Sequence, residues 1–288
     1  MFTTSHTLAI VGLGLMGGSL ALALKKQNAA QKIIGITRSH RTLDTALQRG
    51  AIDTASDQLT AARDADMIVL AAPVRTILNQ IPPLADIAQD KALILDMGST
   101  KREIVNAMNT LPERMYAIGG HPMCGKEVAG FEAADDALYQ DKVFVLTPTA
   151  RTTPDALNTA RALAETIGSR VIELDAKRHD QIVAAISHLP YVVASNLVAT
   201  VNAQANNDGL LMQLASSGYR DTTRVAASDV NMMLDILLTN SENIADLMRQ
   251  YSRQFAELAD AIYDEDEPAL REFLEHTASL RRGASLPS

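Results

Sequence analysis

His121 and Ser99 are the side chains whose types and placement best suit chemistry in this sequence. His121 stands in GGHPMCGKEVAG (119–130), after a short apolar run, where an imidazole can take or give a proton near neutral pH. Ser99 follows another apolar run, in GSTKRE (98–103), and brings a hydroxyl to the same kind of position. Arg220 and Arg224 lie four residues apart in ASSGYRDTTRVAASD (215–229) and can clamp carboxylates if both face one side, although ordinary ion pairing explains most arginines. His188, in AISHLPYVVASN (185–196), sits in a helical pattern that suits a hydrogen-bonded core histidine. It is nine residues from His179, which on a regular helix puts the two on opposite faces, so no metal site is expected from them.

These groups need a frame, and the start of the chain supplies it. TLAIVGLGLMGGSLALALKK (7–26) reads as a strand, then Gly12-x-Gly14-x-x-Gly17, then a helix over about 16–26. Gly12 permits a tight turn, Gly14 lets the backbone approach a pyrophosphate, and Gly17 allows close helix–strand packing. A dinucleotide's phosphates are then expected at the helix N-terminus, on the backbone around Leu15 and Met16. The alternative is a glycine-rich turn that packs tightly and binds nothing. Where an NAD-preferring site places Asp or Glu, the second strand ends in GITRSHRT (35–42), with no carboxylate. Arg38 and Arg41, helped by Thr37 and Ser39, suit a ribose 2′-phosphate, which predicts NADP ahead of NAD. If those arginines are solvated surface charge, the site takes either cofactor.

Apolar runs at 8–11, 33–37, 67–71, 93–96, 116–118, 143–147 and 170–174 predict strands. Helical patterns lie between several of them, among them 43–49 and 154–167. The alternation predicts a mostly parallel sheet covered on both faces, a Rossmann-type doubly wound α/β domain over 1–176. Ligands of such sheets bind beyond the carboxyl ends of the strands, so Ser99 and His121 are expected to face one crevice. Helical patterns at 179–205, 208–214, 231–262 and 267–280 then predict an all-α domain over 177–288, with 281–288 frayed.

The chain has 288 residues, 47% hydrophobic and 4% aromatic without Trp, so its cores must be built from aliphatic side chains. The apolar opening run is no secretory signal, since residues 1–6 carry no Lys or Arg. Its four glycines, Gly12, Gly14, Gly17 and Gly18, speak against a membrane span, and no later segment reads as long and apolar enough to replace it. The single cysteine, Cys124, excludes an intrachain disulfide and suits a reducing cytoplasm. A net charge of −8 with no basic run argues against nucleic acid.

Together GLGLMGGSLA, GSTK, GGHPMCGKEVAG, SHLP and GYRDTTRVA resemble, in order and across both domains, the prephenate/arogenate dehydrogenases of tyrosine biosynthesis. The resemblance implies oxidative decarboxylation of prephenate, arogenate or both: hydride passes to NAD(P)⁺, the ring carboxylate leaves as CO₂, and the ring becomes aromatic. By position it implies that His121 is the base for the substrate hydroxyl and that Ser99 orients that hydroxyl and borders the cofactor. It implies that Arg224 binds a substrate carboxylate with Arg220 beside it, that His188 lines the substrate side, and that Glu127 lies near the cleft mouth. It also implies a homodimer formed through the helical half. Cys124 stands where the family commonly has a small residue such as Ala; the reaction needs no covalent intermediate, so it reads as packing. Neither a fused chorismate mutase nor an amino-acid-binding regulatory module is expected. Two rivals remain. A redox sensor that binds NADP without turnover leaves Ser99, His121 and Arg224 unexplained, and a β-hydroxyacid dehydrogenase needs a lysine from the helical half, where none follows Lys177.

Overall fold

The computed structural model describes residues 6–126, 128–205 and 209–284. The strands are β1 (Thr7–Val11), β2 (Lys32–Ile36), β3 (Thr54–Ser56), β4 (Met67–Leu70), β5 (Leu93–Asp96), β6 (Tyr116–Pro122), β7 (Val143–Pro148) and β8 (Arg170–Glu173). They form one sheet in the order β3-β2-β1-β4-β5-β6-β7-β8, parallel throughout except where β6 meets β7. Helices α1 (Leu15–Lys26), α2 (His40–Gln48), α3 (Val74–Ile87), α4 (Arg102–Asn109) and α5 (Pro154–Thr166) cross between strands.

Residues alternate sides along each strand, so a continuous apolar run serves two cores. Leu8 and Ile10 pack with Leu20, Leu24 and Leu163 on one side of the sheet. Ala9 and Val11 pack with Ile77, Ile81, Leu84 and Ile104 on the other. Ser39 and Thr153 cap α2 and α5 by accepting from Thr42 N and Ala156 N. Helix α3 carries Pro82 and Pro83 in its interior. The edge strand β3, three mostly exposed residues, gave no apolar run to find.

From residue 176 the chain is helical: α6 (Ala176–Val183), a π-helical turn (Ala184–His188), α7 (Leu189–Ala205), α8 (Leu210–Leu214), α9 (Ser217–Thr223), α10 (Val230–Thr239), α11 (Ser241–Tyr263) and α12 (Glu267–Gly283). The single helix predicted over 231–262 is two, because Asn240 leaves helical geometry and turns its buried side chain to the carbonyl of Asp180. The helix Ala176–Gln204 is long and apolar enough by composition to cross a membrane, contrary to the expectation that no later segment is. Its polar residues His179, Asp180 and His188 are buried and hydrogen-bonded within the protein.

Two compact units divide the chain, Met1–Ser241 and Glu242–Ser288. The first holds the sheet and α1 to α10. In the second, Asp266 caps α12 by accepting from Ala269 N, and Tyr251 stacks on Phe255 along α11 with ring centroids 5.7 Å apart.

The glycine loop follows from crowding. Gly12 has φ +99°, and a Cβ there would stand 2.4 Å from the carbonyl oxygen of Ala71. A Cβ on Gly17 would stand 1.9 Å from the carbonyl oxygen of Gly12, whereas one on Gly14 meets nothing within 4 Å. Gly17→Ala is therefore expected to destabilise by about 3 kcal/mol, the upper range for overpacking, while Gly14→Ala leaves Tm little changed. Thermal unfolding of the two variants checks the difference.

Candidate active site

The loop between β1 and α1 fits a dinucleotide phosphate. Gly14 is the N-cap of α1 and offers no side-chain cap, which leaves the first-turn N–H groups of the helix to an outside acceptor. The open space beside Gly14 is a cradle that a Cβ would fill. Leu15 and Met16 begin the helix, and the buried Tyr139 hydroxyl donates to the Met16 carbonyl at 2.6 Å, which steadies that turn from behind. At the end of β2, Thr37 is half-buried and Arg38 exposed, while Ser39 serves as the cap of α2. Arg41 pairs with Glu132 at 3.0 Å, but both are largely exposed and such a pair contributes little.

Beyond the carboxyl ends of β5 and β6 lies a second cluster. His121 is in a strand, not in the loop that the short apolar run 116–118 suggested: pairing with β7 prolongs β6 to Pro122 and sets His121 opposite Val145. The loop after β5 is tied to it by Asp96. This buried carboxylate accepts from Gly98 N at 2.8 Å and from Gly120 N at 3.1 Å, and it pairs with the fully buried ammonium of Lys101. Burial pulls Lys101 below the usual lysine range, and Asp96 opposes that shift. Gly120 is needed here, since a Cβ would meet the Asp96 carbonyl at 2.5 Å. Ser99 sits half-buried in this loop, between Asp96 and Lys101.

His121 Nδ1 lies 2.8 Å from Nε2 of His179, and His179 Nδ1 lies 2.8 Å from Oδ1 of Asp180. Asp180 also accepts from Lys101 N at 2.7 Å and Arg102 N at 2.9 Å, at the start of α4. Burial works to raise its pKa, and hydrogen bonds from His179 and those two amides outweigh it, so the carboxyl stays below its ordinary range. Burial holds His121 well below the usual histidine range, and His179, Lys101 and His188 add to the shift. Burial likewise lowers His179 against the pull of Asp180, and it takes His188 down to about 4. All three imidazoles are therefore neutral at pH 7.

The expectation that His179 and His188 point to opposite faces fails because the helix between them is not regular. The π turn Ala184–His188 shifts the register, and both histidines act electrostatically on His121. Asn240 Nδ2 donates to the Asp180 carbonyl at 2.8 Å and lies 3.2 Å from His188 Nδ1. Thr100 Oγ1 and Thr239 Oγ1, 2.8 Å apart, join the Ser99 loop to α10.

The predicted residues thus divide. His121 and His188 lie in the cluster of His179 and Asp180, and Ser99 lies in the loop that Asp96 holds through Gly98 N. Arg220 lies exposed on α9, paired with Asp221 at 3.2 Å, and Arg224 is exposed at the start of the 3₁₀ turn Arg224–Ala227. Glu127 lies outside the described residues. Cys124 packs beside the core, and burial raises its thiol to about 12, which suits packing and not nucleophilic attack. A cavity of about 630 Å³ between α3 and α10 is lined by Arg75, Asn79, Glu103 and Asp235 and by none of the predicted site residues. Asp96, Lys101, His179, Asp180 and Asn240 were missed. The only sequence signals for them were Asp96 at a strand's carboxyl end and the adjacent His179–Asp180 pair one turn after Asp175, the cap of α6.

Asp96→Ala removes the acceptor of two buried amides and the partner of a buried ammonium. It is expected to cost about 3–5 kcal/mol in urea unfolding, the range for breaking a buried pair from one side.

The family model for the prephenate dehydrogenase nucleotide-binding domain matches residues 20–173, and that for the prephenate dehydrogenase dimerization domain matches 175–276. A prephenate dehydrogenase from Bacillus subtilis (strain 168) is 34% identical over 97% of this chain and 76% of its own length. The crystal structure of prephenate dehydrogenase from A. aeolicus in complex with hydroxyphenyl propionate and NAD⁺ superposes with a TM-score of 0.90 at 32% identity, over 96% of this chain and 98% of that one. That of Synechocystis arogenate dehydrogenase gives 0.81 at 31% identity, over 96% and 99%. With these matches across both halves of the sequence, the chain belongs to the prephenate dehydrogenase family and is an NAD(P)-dependent oxidoreductase.

Proposed function

We propose that this protein oxidatively decarboxylates prephenate, arogenate or both, with His121 as the base and NADP⁺ preferred over NAD⁺. The observation that carries the reading is an imidazole at the carboxyl end of β6, with Asp96 tying that strand to the loop that holds Ser99. The bound dinucleotide supplies the hydride acceptor. The Gly12–Gly14 loop and the first turn of α1, made by Leu15, Met16 and Gly17, would hold its phosphates, and Ser99 would border the site of its ring.

At the substrate, the hydroxyl carbon loses hydride as His121 draws the hydroxyl proton, and the ring carboxylate leaves as CO₂ because its departure makes the ring aromatic. His121 performs this role only when neutral, and burial keeps it so at physiological pH. Ser99 orients the hydroxyl. Arg224 binds a substrate carboxylate with Arg220 beside it, and His188 lines the substrate side. The support for these roles is motif position, together with the electrostatic influence of His188 on His121.

The NADP preference rests on the second strand, which ends in Thr37, Arg38, Ser39 and Arg41 with no carboxylate to accept from a ribose hydroxyl. Functionally the chain divides into a dinucleotide domain, 1–176, and a helical substrate and dimerisation domain, 177–288. Exposed apolar side chains support a homodimer through the helical half: Val230 and Leu238 on α10, and Phe255, Tyr263 and Leu274 on α11 and α12. We place the reaction in the cytoplasm, which suits a chain with one cysteine.

The test is formation of reduced nicotinamide with prephenate and with arogenate, each with NADP⁺ and NAD⁺. At least one substrate is expected to react, with a higher kcat/KM for NADP⁺. His121→Asn should lower kcat by about 10²–10⁴-fold while the dinucleotide Kd stays as in the wild type. No reduction in any combination favours a nucleotide-binding sensor, and normal turnover by His121→Asn removes that residue from the chemistry.

A further inference from the structure

The two nitrogens of His121 are not equivalent, and neighbouring residues decide which one can act. We propose that His179, backed by Asp180, is a positioning residue that fixes His121 in its Nδ1–H tautomer, so that Nε2 is the nitrogen that receives the substrate proton. The inference deepens the reading of His121 as the base and rests on it.

It begins at Asp180, an ionised carboxylate that can only accept. Oδ1 takes Lys101 N at 2.7 Å and Oδ2 takes Arg102 N at 2.9 Å, so the His179 ring 2.8 Å from Oδ1 must present Nδ1 as a donor. A neutral His179 that carries its proton on Nδ1 has a bare lone pair on Nε2. Nδ1 of His121 stands 2.8 Å from that lone pair, and two bare nitrogens at this separation repel. His121 must therefore donate from Nδ1, which leaves its Nε2 as an acceptor. The opposite tautomer would set two lone pairs against each other and offer the substrate hydroxyl a donor in place of a base.

The chain of contacts is anchored away from the reacting atoms. The first amides of α4 hold the Asp180 carboxylate, and Asn240 at the end of α10 holds the Asp180 carbonyl. His179 and Asp180 are both 1% exposed, so water does not compete for these bonds. When Nε2 of His121 takes the proton, the Nδ1–H bond to His179 becomes charge-assisted and strengthens. No proton need leave His121 for His179 or Asp180 during the step.

Long-range ¹H–¹⁵N correlation spectra of histidine-labelled protein at pH 8 read the tautomers directly, with His121 and His179 signals assigned by their loss in His121→Asn and His179→Gln. The wild type is expected to show Nδ1–H on both rings. His179→Leu, which removes the acceptor, should lower kcat by at least about tenfold and leave His121 as a mixture of tautomers, with substrate KM and dinucleotide Kd near wild type. His179→Gln, whose Oε1 can replace the Nε2 acceptor, should recover most of the turnover. Predominant Nε2–H on His121 in the wild type overturns the proposal, as does wild-type kcat in His179→Leu. If His179→Leu does not fold, the wild-type spectrum decides alone. Failure to oxidise prephenate or arogenate would sink the proposed reaction without altering the tautomer reading, which is made on the resting protein.

Discussion

Asp180 lies where the start of α4, the helix α6 and the end of α10 converge: its carboxylate accepts from Lys101 N, Arg102 N and His179, and its main-chain carbonyl accepts from Asn240 Nδ2. Through His179 it reaches His121, the group on which the proposed chemistry turns. Asp96 does the corresponding work one layer deeper, binding the loop after β5 to β6 and to the ammonium of Lys101. Two buried carboxylates thus place the reactive ring and the Ser99 loop, and each carries enough hydrogen bonds to bear its loss of solvent.

The electrostatic balance of the cluster follows from depth more than from charge. Two carboxylates and one ammonium lie among three imidazoles, and on charge alone the carboxylates would favour protonated histidines. Desolvation outweighs them at His179 and His188; at His121 desolvation leads, and the neighbouring histidines and the Lys101 ammonium act in the same direction. A base with a depressed pKa is a weaker base. It is also fully available at neutral pH, and in a reaction that ends in an aromatic ring the driving force comes from the substrate.

Much of the frame was legible in the chain itself. The apolar runs that became β1, β2, β4, β5 and β7 are buried on both faces or close to it, so their composition is dictated by position. Gly12 and Gly17 are dictated by backbone oxygens closer than any Cβ allows. Ser99, His121 and His188 could be picked out because they break apolar patterns at strand ends or within a helix. What could not be read depends on contacts between distant segments. The last residues of β6 are held by β7, which reclassified His121 from loop to strand. The π turn before α7 has no simple sequence signal, and it undid the face assignment of His179 and His188. Asn240 breaks a helix whose apolar pattern runs on through it, because its amide is needed by Asp180.

The proposed chemistry needs His121 held neutral by its desolvated place in this cluster, and the most direct measurement is an NMR titration of its ring carbons in the resting protein from pH 8 downward. The midpoint is expected well below 6.5, the ordinary histidine value. A midpoint at or above 6.5 would mean that the carboxylates dominate the ring's surroundings, and the site as described here would be wrong.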